Sequence, residues 1–411
     1  MIVLERMHSQ VQGARQSSGL RFLAVVAAAS FFLFGCAGKR NQPNSPETSE
    51  ERRGPPETLQ ASASVISAEE AVGIEELLVR GNAQLDNEEY DEASRTFERA
   101  VAHAAIRRNR LRALYGWGTA VDLSSRPKRA LEIYSRYFTE APPGAARDEI
   151  AVRQVRLLVY LERYAEAAAA SRQVGLKDRS PVQQLALLGA RAHAELLDGR
   201  LEAAELTISK GRAIVDQHML DRVTIPSLDV ASLYFALGEL RSKKAGAIKF
   251  DPVPPDFPQK LEARCQLILD AQSAYSETMR SEDAHWSSMS GVKVGQLYKS
   301  LHSDLMAIPA PETAVNDEKK ALFEGAMRLR YSILLTKSLS MMEATVALLD
   351  RTHQKSRWRA RAREALKDIQ TAQKDEETAI DALPYSRAQL QQVLDDMAAK
   401  AKAAAVPPSG S

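Results

Sequence analysis

Residues 81–101 read GNAQLDNEEYDEASRTFERAV, and this stretch decides the fold of the chain. Gly81 and Ala93 are small enough to let two neighbouring helices approach closely, and Phe97 is large enough to fill the gap above them. The stretch therefore predicts a hairpin of two helices whose short turn lies at the acidic residues Glu88 and Glu89.

The same pattern recurs along the chain at a constant interval. The glycine and the aromatic residue return 37 residues later as Gly118 and Tyr134. The third and fourth copies lose both of these residues but keep the small residue of the second helix. That residue recurs every 37 positions, as Ala93, Ala130, Ala167 and Ala204. Residues 67–218 therefore contain four copies of one helical hairpin.

These copies resemble the tetratricopeptide repeat, a family whose repeat is about 34 residues long. The first copy matches the family's signature spacing at Gly81, Ala83, Tyr90, Ala93, Phe97 and Ala100. The resemblance implies a right-handed solenoid with a concave groove. Composition agrees, because aromatic residues make up only 6% of the chain and strand-type runs of Val, Ile and Thr are almost absent.

The resemblance also implies which side chains of each first helix face the groove. They are Leu78 and Asn82, Tyr115 and Thr119, Val152 and Arg156, and Gly189 and His193. Family members that bind chaperones clamp peptide carboxylates with a lysine where this chain has Leu78, so that clamp is not expected here. Asn82 could still bond a peptide backbone and Arg156 could bind one acid. The candidate groove-binding residues are thus Asn82, Tyr115, Thr119, Arg156 and His193, and a purely structural role stays open for each.

The repeat pattern ends near Met219. Residues 219–250 predict a bridging or capping helix, residues 251–258 (DPVPPDFP) a rigid loop, and residues 259–405 a set of longer helices. The predicted fold class is all-α: a helical-hairpin solenoid of tetratricopeptide type followed by a C-terminal α-helical bundle. Residues 406–411 are expected to form a disordered tail.

An apolar run from residue 22 to residue 34 lies near the start of the chain, after Arg15 and Arg21. As a helix it would be about 20 Å long, which is too short to cross a hydrocarbon core of about 30 Å comfortably. A positive flank, a short apolar core and a small residue at its end indicate a secretory signal over residues 1–35.

The end of this run, Leu33-Phe34-Gly35-Cys36, resembles the bacterial lipobox. The resemblance implies cleavage between Gly35 and Cys36 and a covalent lipid on the Cys36 thiol, although Phe34 is bulkier than the family's usual residue. An uncleaved anchor and a signal peptide without lipidation remain the alternatives. Residues 36–66 would then be the lipidated cysteine and a polar, proline-containing tether.

The resemblance places the protein in the cell envelope, anchored by its lipid. Ala37 and Gly38 follow the cysteine, and neither is the aspartate that retains enterobacterial lipoproteins at the inner membrane. The outer membrane is therefore the expected location. Apart from the covalent lipid, no cofactor is expected.

Charge and motifs exclude several classes of function. The net charge of +2 falls within the N-terminal segment and leaves a neutral body, which does not suit nucleic-acid binding. The seven histidines and two cysteines form no metal-ligand pattern. Phosphate loops and nucleophile elbows are absent from the sequence. The sequence thus predicts no catalytic residues, no metal site and no enzyme activity, and it leaves the oligomeric state open.

A basic stretch surrounds Trp358, with cationic residues at 351, 355, 357, 359, 361 and 363. It could lie on anionic lipid or on peptidoglycan. Alternatively, Trp358, Ala362, Leu366 and Ile369 form a buried stripe, and the arginines face water and neighbouring acids.

The overall layout looks like that of tetratricopeptide lipoproteins of myxobacteria-like bacteria. That resemblance implies a non-catalytic scaffold or assembly factor for an envelope machine, such as one for motility, secretion, pilus or outer-membrane assembly. Its partner would be an envelope protein or peptide held in the groove. The alternative is a cell-wall enzyme or its regulatory subunit, which would need an acid paired with His285 or His302.

Overall fold

Successive helices pack against each other in pairs along the computed structural model, which describes residues 68–312, 314–352 and 356–405. The predicted signal peptide, Cys36, the tether and the tail over residues 406–411 lie outside these ranges. Fourteen helices and no strand occur within them, which confirms the all-α prediction. The helices are α1 Ala68–Asp86, α2 Tyr90–His103, α3 Arg107–Leu123, α4 Pro127–Glu140, α5 Ala145–Tyr160, α6 Tyr164–Val174, α7 Pro181–Leu197, α8 Leu201–His218, α9 Leu228–Ala247, α10 Phe257–Met279, α11 Ala284–Met306, α12 Asp317–Thr352, α13 Trp358–Asp381 and α14 Arg387–Ala405.

The 37-residue interval sets the spacing of the first four hairpins. Their second helices begin at Tyr90, Pro127, Tyr164 and Leu201, and the four repeated alanines are 0% exposed. A Cβ added to Gly81 would lie 2.7 Å from the ring of Phe97, closer than side-chain atoms pack. The small residues therefore allow each pair of helices to touch, as the sequence predicts.

One turn geometry joins the two helices in all four hairpins. Glu88, Ser125, Glu162 and Gly199 have left-handed backbone angles, with φ between 58° and 73°. The amide of the following residue reaches back to a carbonyl five positions earlier, as in the 2.8 Å bond from Glu89 to Gln84. This is the Schellman ending of a helix. Because it is repeated every 37 residues, it gives each hairpin the same bend.

The second half keeps the pairwise order with longer helices. Helices α9 and α10 form a fifth pair, and α9 also packs on α7. Helices α11, α12 and α13 contact one another, and α14 packs on α12. These helices lie within residues 259–405, the range predicted for the C-terminal helical region, which also includes nearly all of α10. One apolar core runs from Ile74 in α1 to Ile369 in α13, so the two halves form a continuous structure.

Within the described residues, the segment Asp317–Arg351 of α12 is long and apolar enough to cross a membrane by length and composition, with a mean hydropathy of 1.3. In this fold α12 instead packs against α11, α13 and α14. Its Ala326, Leu334 and Met342 are at most 1% exposed. A core helix can satisfy the same test, and 33% of this apolar window is buried inside the molecule.

Candidate functional site

A cavity of about 1810 Å³ opens on the inner side of the helical array, between the second and third hairpins and the C-terminal half. It exists because the array curves back on itself. The turn after α5 meets the start of α13, although Glu162 and Trp358 lie 196 residues apart. The cavity is lined by residues from the segments 122–129, 153–161, 182–186, 227–232, 283–286 and 356–359.

Five helices, α4, α7, α9, α11 and α13, begin at this cavity. Ser227 accepts a bond from the Val230 amide at the start of α9, and Asp283 accepts one from the Trp286 amide at the start of α11. Each side-chain cap satisfies only some of the unpaired amides of a helix start. The positive ends of these helix dipoles therefore face the cavity and favour negative charge there.

Cationic side chains dominate the charged lining. They are Arg126, Lys128, Arg129, Arg153, Arg156, Arg357 and Arg359, against the carboxylates Asp122, Asp229 and Asp283. Several of these arginines already bind acids outside the cavity: Arg126 binds Asp91 at 2.8 Å and Arg153 binds Glu149 at 3.0 Å. A guanidinium carries five donors, so such a pair fixes its position and leaves donors for another ligand.

Of the five candidate groove residues, Arg156 is the one that lines this cavity. Its Nε donates to Oδ1 of Asp229 at 3.0 Å and its Nη2 donates to Oδ2 at 2.7 Å. Burial raises the pKa of Asp229, against the opposing attraction of Arg156. Arg156 therefore already binds one acid, which belongs to its own chain and comes from the start of α9.

His193 does not face a groove, which corrects the sequence-based prediction. The side chain is 3% exposed, its Nε2 lies 3.1 Å from Oγ of Ser232, and its ring stacks on Tyr164 at 4.7 Å. Burial lowers the pKa of His193 to about 4. The reason is that α9 packs directly on α7 and covers the face on which the repeat pattern places this histidine.

The other groove candidates lie away from the cavity lining. Asn82 is exposed on α1, and Thr119 is half-buried on α3. Tyr115 donates its hydroxyl to Glu149 at 2.9 Å. Leu78 and Val152, which the family pattern would also place in the groove, are each 1% exposed in the core. Among the five groove candidates, the cavity thus shares Arg156 alone with the predicted groove.

An aromatic pair that the sequence pattern does not reveal lines the cavity where α5 ends and α11 begins. The rings of Tyr160 and His285 stack with centroids 4.1 Å apart. His285 is 1% exposed, and its two ring nitrogens have no hydrogen-bond partner. Burial, with repulsion from Arg357 and Arg361, lowers the pKa of His285 to about 3. The imidazole is therefore neutral at physiological pH and anchors α11 against the third hairpin.

Four arginines of the basic stretch around Trp358 pair within the molecule, whereas Lys355 lies outside the described residues. Arg357 Nη2 lies 3.0 Å from Oε1 of Glu162, and Trp358 Nε1 donates to the same oxygen at 2.9 Å. Arg361 lies 3.6 Å from Oε2 of Glu162. We call this contact the Glu162 junction. Trp358 is 8% exposed, Ala362 and Ile369 are buried and Leu366 is half-buried, so the structure agrees with the interpretation of a buried stripe flanked by paired arginines.

Further along the same helices, Arg363 pairs with Asp350 at 2.7 Å, and Arg359 donates to the carbonyl of Leu349. These bonds join the start of α13 to the end of α12. They place the cationic face of α13 beside the cavity, at a position that helical periodicity alone does not indicate.

An acid does pair with His302, as the enzyme alternative requires. Its Nε2 lies 3.6 Å from Oε2 of Glu376, and Arg328 Nη1 lies 2.8 Å from the same oxygen. Both His302 and Glu376 are at most 7% exposed inside the bundle and are absent from the cavity lining. Among the described residues no group of His, Cys, Asp or Glu is arranged to hold a metal ion. This cluster joins α11, α12 and α13 inside the bundle.

No family model matches the chain, and no curated protein matches it. A tetratricopeptide repeat protein from Parabacteroides merdae is similar in structure, at 13% identity and a TM-score of 0.36, covering 68% of this chain and 99% of that one. At this TM-score the similarity supports no conclusion about function, so the helical-hairpin fold rests on the packing described above.

Proposed function

We propose that this protein is a non-catalytic protein-interaction scaffold of the bacterial envelope that holds a segment of its partner in the cavity. The observation that carries the proposal is the cavity itself. Its volume of about 1810 Å³ exceeds the roughly 300–1000 Å³ of typical small-molecule sites. Positioned arginines and helix starts surround it, so it suits a polypeptide segment that brings several polar contacts.

A lipid on Cys36 would anchor the scaffold to the membrane, with the outer membrane as its location. The motif Leu33-Phe34-Gly35-Cys36 supports this part of the proposal. Two or three acyl chains hold a protein stably on a bilayer, whereas a single chain does so only marginally. The tether behind Cys36 would let the folded part reach a partner in an envelope machine for motility, secretion, pilus or outer-membrane assembly.

Photo-crosslinking in living cells tests the scaffold. A photoreactive residue at Lys128, which lines the cavity, should trap one defined envelope protein. The matched control is the same residue at Leu206, which is 59% exposed on α8 and outside the cavity lining. Capture at both positions, or capture at Leu206 alone, would show that the cavity is not the binding surface.

Membrane attachment is tested separately. Cys36→Ala should abolish incorporation of radiolabelled palmitate and move the protein out of the membrane fraction. Cys265→Ala is the matched control, because Cys265 is a buried free thiol of α10. Unchanged palmitate incorporation in the Cys36→Ala variant would rule out the lipid anchor.

A further inference from the structure

The start of α13 forms a built carboxylate site, and its occupant is a side chain of the same protein. Arg357 and Trp358 both donate to Oε1 of Glu162, and Arg361 approaches Oε2. Arg357 also donates to the carbonyl of Leu161 at 3.1 Å. Guanidinium groups form strong, charge-assisted hydrogen bonds to a carboxylate, and the indole N–H and the helix start add a further donor and a favourable dipole.

The geometry of the turn presents Glu162 to this site. Glu162 has a left-handed backbone, with φ of 60°, at the tip of the third hairpin. Corresponding positions of the other hairpins, Glu88, Ser125 and Gly199, share that conformation but make no such contact with α13 in the described structure. The Glu162 junction therefore comes from the residue at this tip and from the position of α13.

The junction is accessible to a competing acid. The side chains of Arg357 and Arg361 are 39% and 52% exposed, whereas that of Glu162 is 22% exposed. Single ion pairs that are exposed to this degree are weak, so the arginines can exchange one carboxylate for another. Arg357 also lines the cavity, which places the site at the edge of the proposed binding surface.

We propose that Arg357, Trp358 and Arg361 bind an acidic segment of the partner protein, and that Glu162 occupies this site as an internal competitor until the partner displaces it. The inference rests on the proposed scaffold function and specifies the chemistry of its partner. A polypeptide fits better than a small anion, because the present occupant is a glutamate side chain and the cavity beside it has room for neighbouring residues. Lys128 and Arg126, on another part of the lining, would meet further acids of the same segment.

Binding of a labelled oligoglutamate peptide to the full-length protein in detergent tests the proposal, with oligoglutamine as the neutral control peptide. Glu162→Gln removes the competing charge and should tighten oligoglutamate binding about tenfold, the effect of one charge-assisted hydrogen bond. Glu166→Gln is the matched control, because Glu166 lies in the same hairpin and pairs only locally, with Arg163 at 2.6 Å. It should leave the affinity unchanged. Adding Arg361→Ala to Glu162→Gln should remove the gain.

Circular dichroism of each variant reports whether it folds. If Glu162→Gln does not fold, Glu162→Asp supplies the test, because it keeps the charge but shortens the reach and should give a smaller gain in affinity. Equal affinity in the wild type and the folded variant, or an equal gain for oligoglutamine, would overturn the proposal. Displacement of oligoglutamate by inorganic phosphate at matched charge would also overturn it, by reassigning the site to phosphate.

This outcome is independent of the crosslinking result. A tenfold gain in Glu162→Gln without capture at Lys128 would support the acid site and refute the scaffold. Capture at Lys128 without any gain would support the scaffold and refute the internal competitor.

Discussion

The four N-terminal hairpins and the C-terminal bundle are both all-helical, but they are built by different rules. In the hairpins the helices run for 11 to 19 residues and the same turn recurs every 37 positions. In the bundle α11, α12 and α13 run for 23, 36 and 24 residues with no common turn. Local spacing therefore specifies the hairpins, whereas the packing of three long helices on one another specifies the bundle.

The largest expected effect tests whether the two halves unfold together. Tyr134 is 0% exposed in the second hairpin, and Tyr331 is 3% exposed in α12. Replacing either with alanine leaves a cavity and should lower the free energy of unfolding by about 3–5 kcal/mol. Because one apolar core spans both halves, each variant should show a single, shifted transition in urea by circular dichroism and tryptophan fluorescence. Two separate transitions in Tyr134→Ala would show that the halves are independent.

The next effect concerns pH and compares one buried histidine from each half. The folded pKa of His193 is lowered to about 4 and that of His285 to about 3, both by burial. Glu239 and Lys293 act on His193 with opposite signs, whereas Arg357 and Arg361 both act on His285. An unfolded histidine has a pKa of about 6.5, so below that pH the unfolded state binds protons that the folded state excludes.

Stability should therefore be lost as the pH falls from about 6.5 towards those folded values, by up to about 1.4 kcal/mol per pH unit for each histidine. Urea unfolding of the wild type and of His193→Gln at pH 7.5 and pH 5.5 measures how much of this loss of stability comes from His193, in the hairpin half. The variant should lose less stability between the two pH values. An identical loss in both proteins would place the pH dependence elsewhere.

A smaller effect is expected at the contact between the halves. Glu162→Ala removes the acceptor for Arg357 and Trp358 and should lower the free energy of unfolding by about 1–2 kcal/mol. Hydrogen exchange should rise at the start of α13 and stay unchanged in α1 and α2. Glu166→Ala should change stability by no more than about 0.5 kcal/mol, because Glu166 lies in an exposed pair on one helix. Equal effects of the two variants would mean that the junction does not hold the halves together.

The smallest effect sharpens the rule of the repeated turn. Glu88 is exposed and has φ of 62°, a conformation that glycine adopts without steric strain. Glu88→Gly should therefore raise the free energy of unfolding by about 0.5 kcal/mol, and the melting temperature should rise slightly. Gly199→Ala, with φ of 73° at the equivalent turn, should lower stability by about 1 kcal/mol. Thermal unfolding checks both, and shifts of the same sign would show that the turns are not equivalent.

Much of the fold was predictable from particular residues. Gly81 with Phe97, and Gly118 with Tyr134, predict the close contact of paired helices, and the structure confirms it. The groove residues were less predictable, because a repeat pattern describes one hairpin and not what covers it. His193 fits the pattern of an exposed position, yet α9 buries it.

The pattern of residues along the chain specifies the helices, the 37-residue interval and the buried small residues, since these depend on neighbours within one hairpin. Tertiary structure alone decided the cavity, the Arg156–Asp229 pair and the Glu162 junction, which join residues 73 and 196 positions apart. Helix periodicity fixes which face of a helix is apolar but carries no information on which distant helix will cover it. The curvature summed over many hairpins brings those segments together, and it emerges only when the whole array is packed.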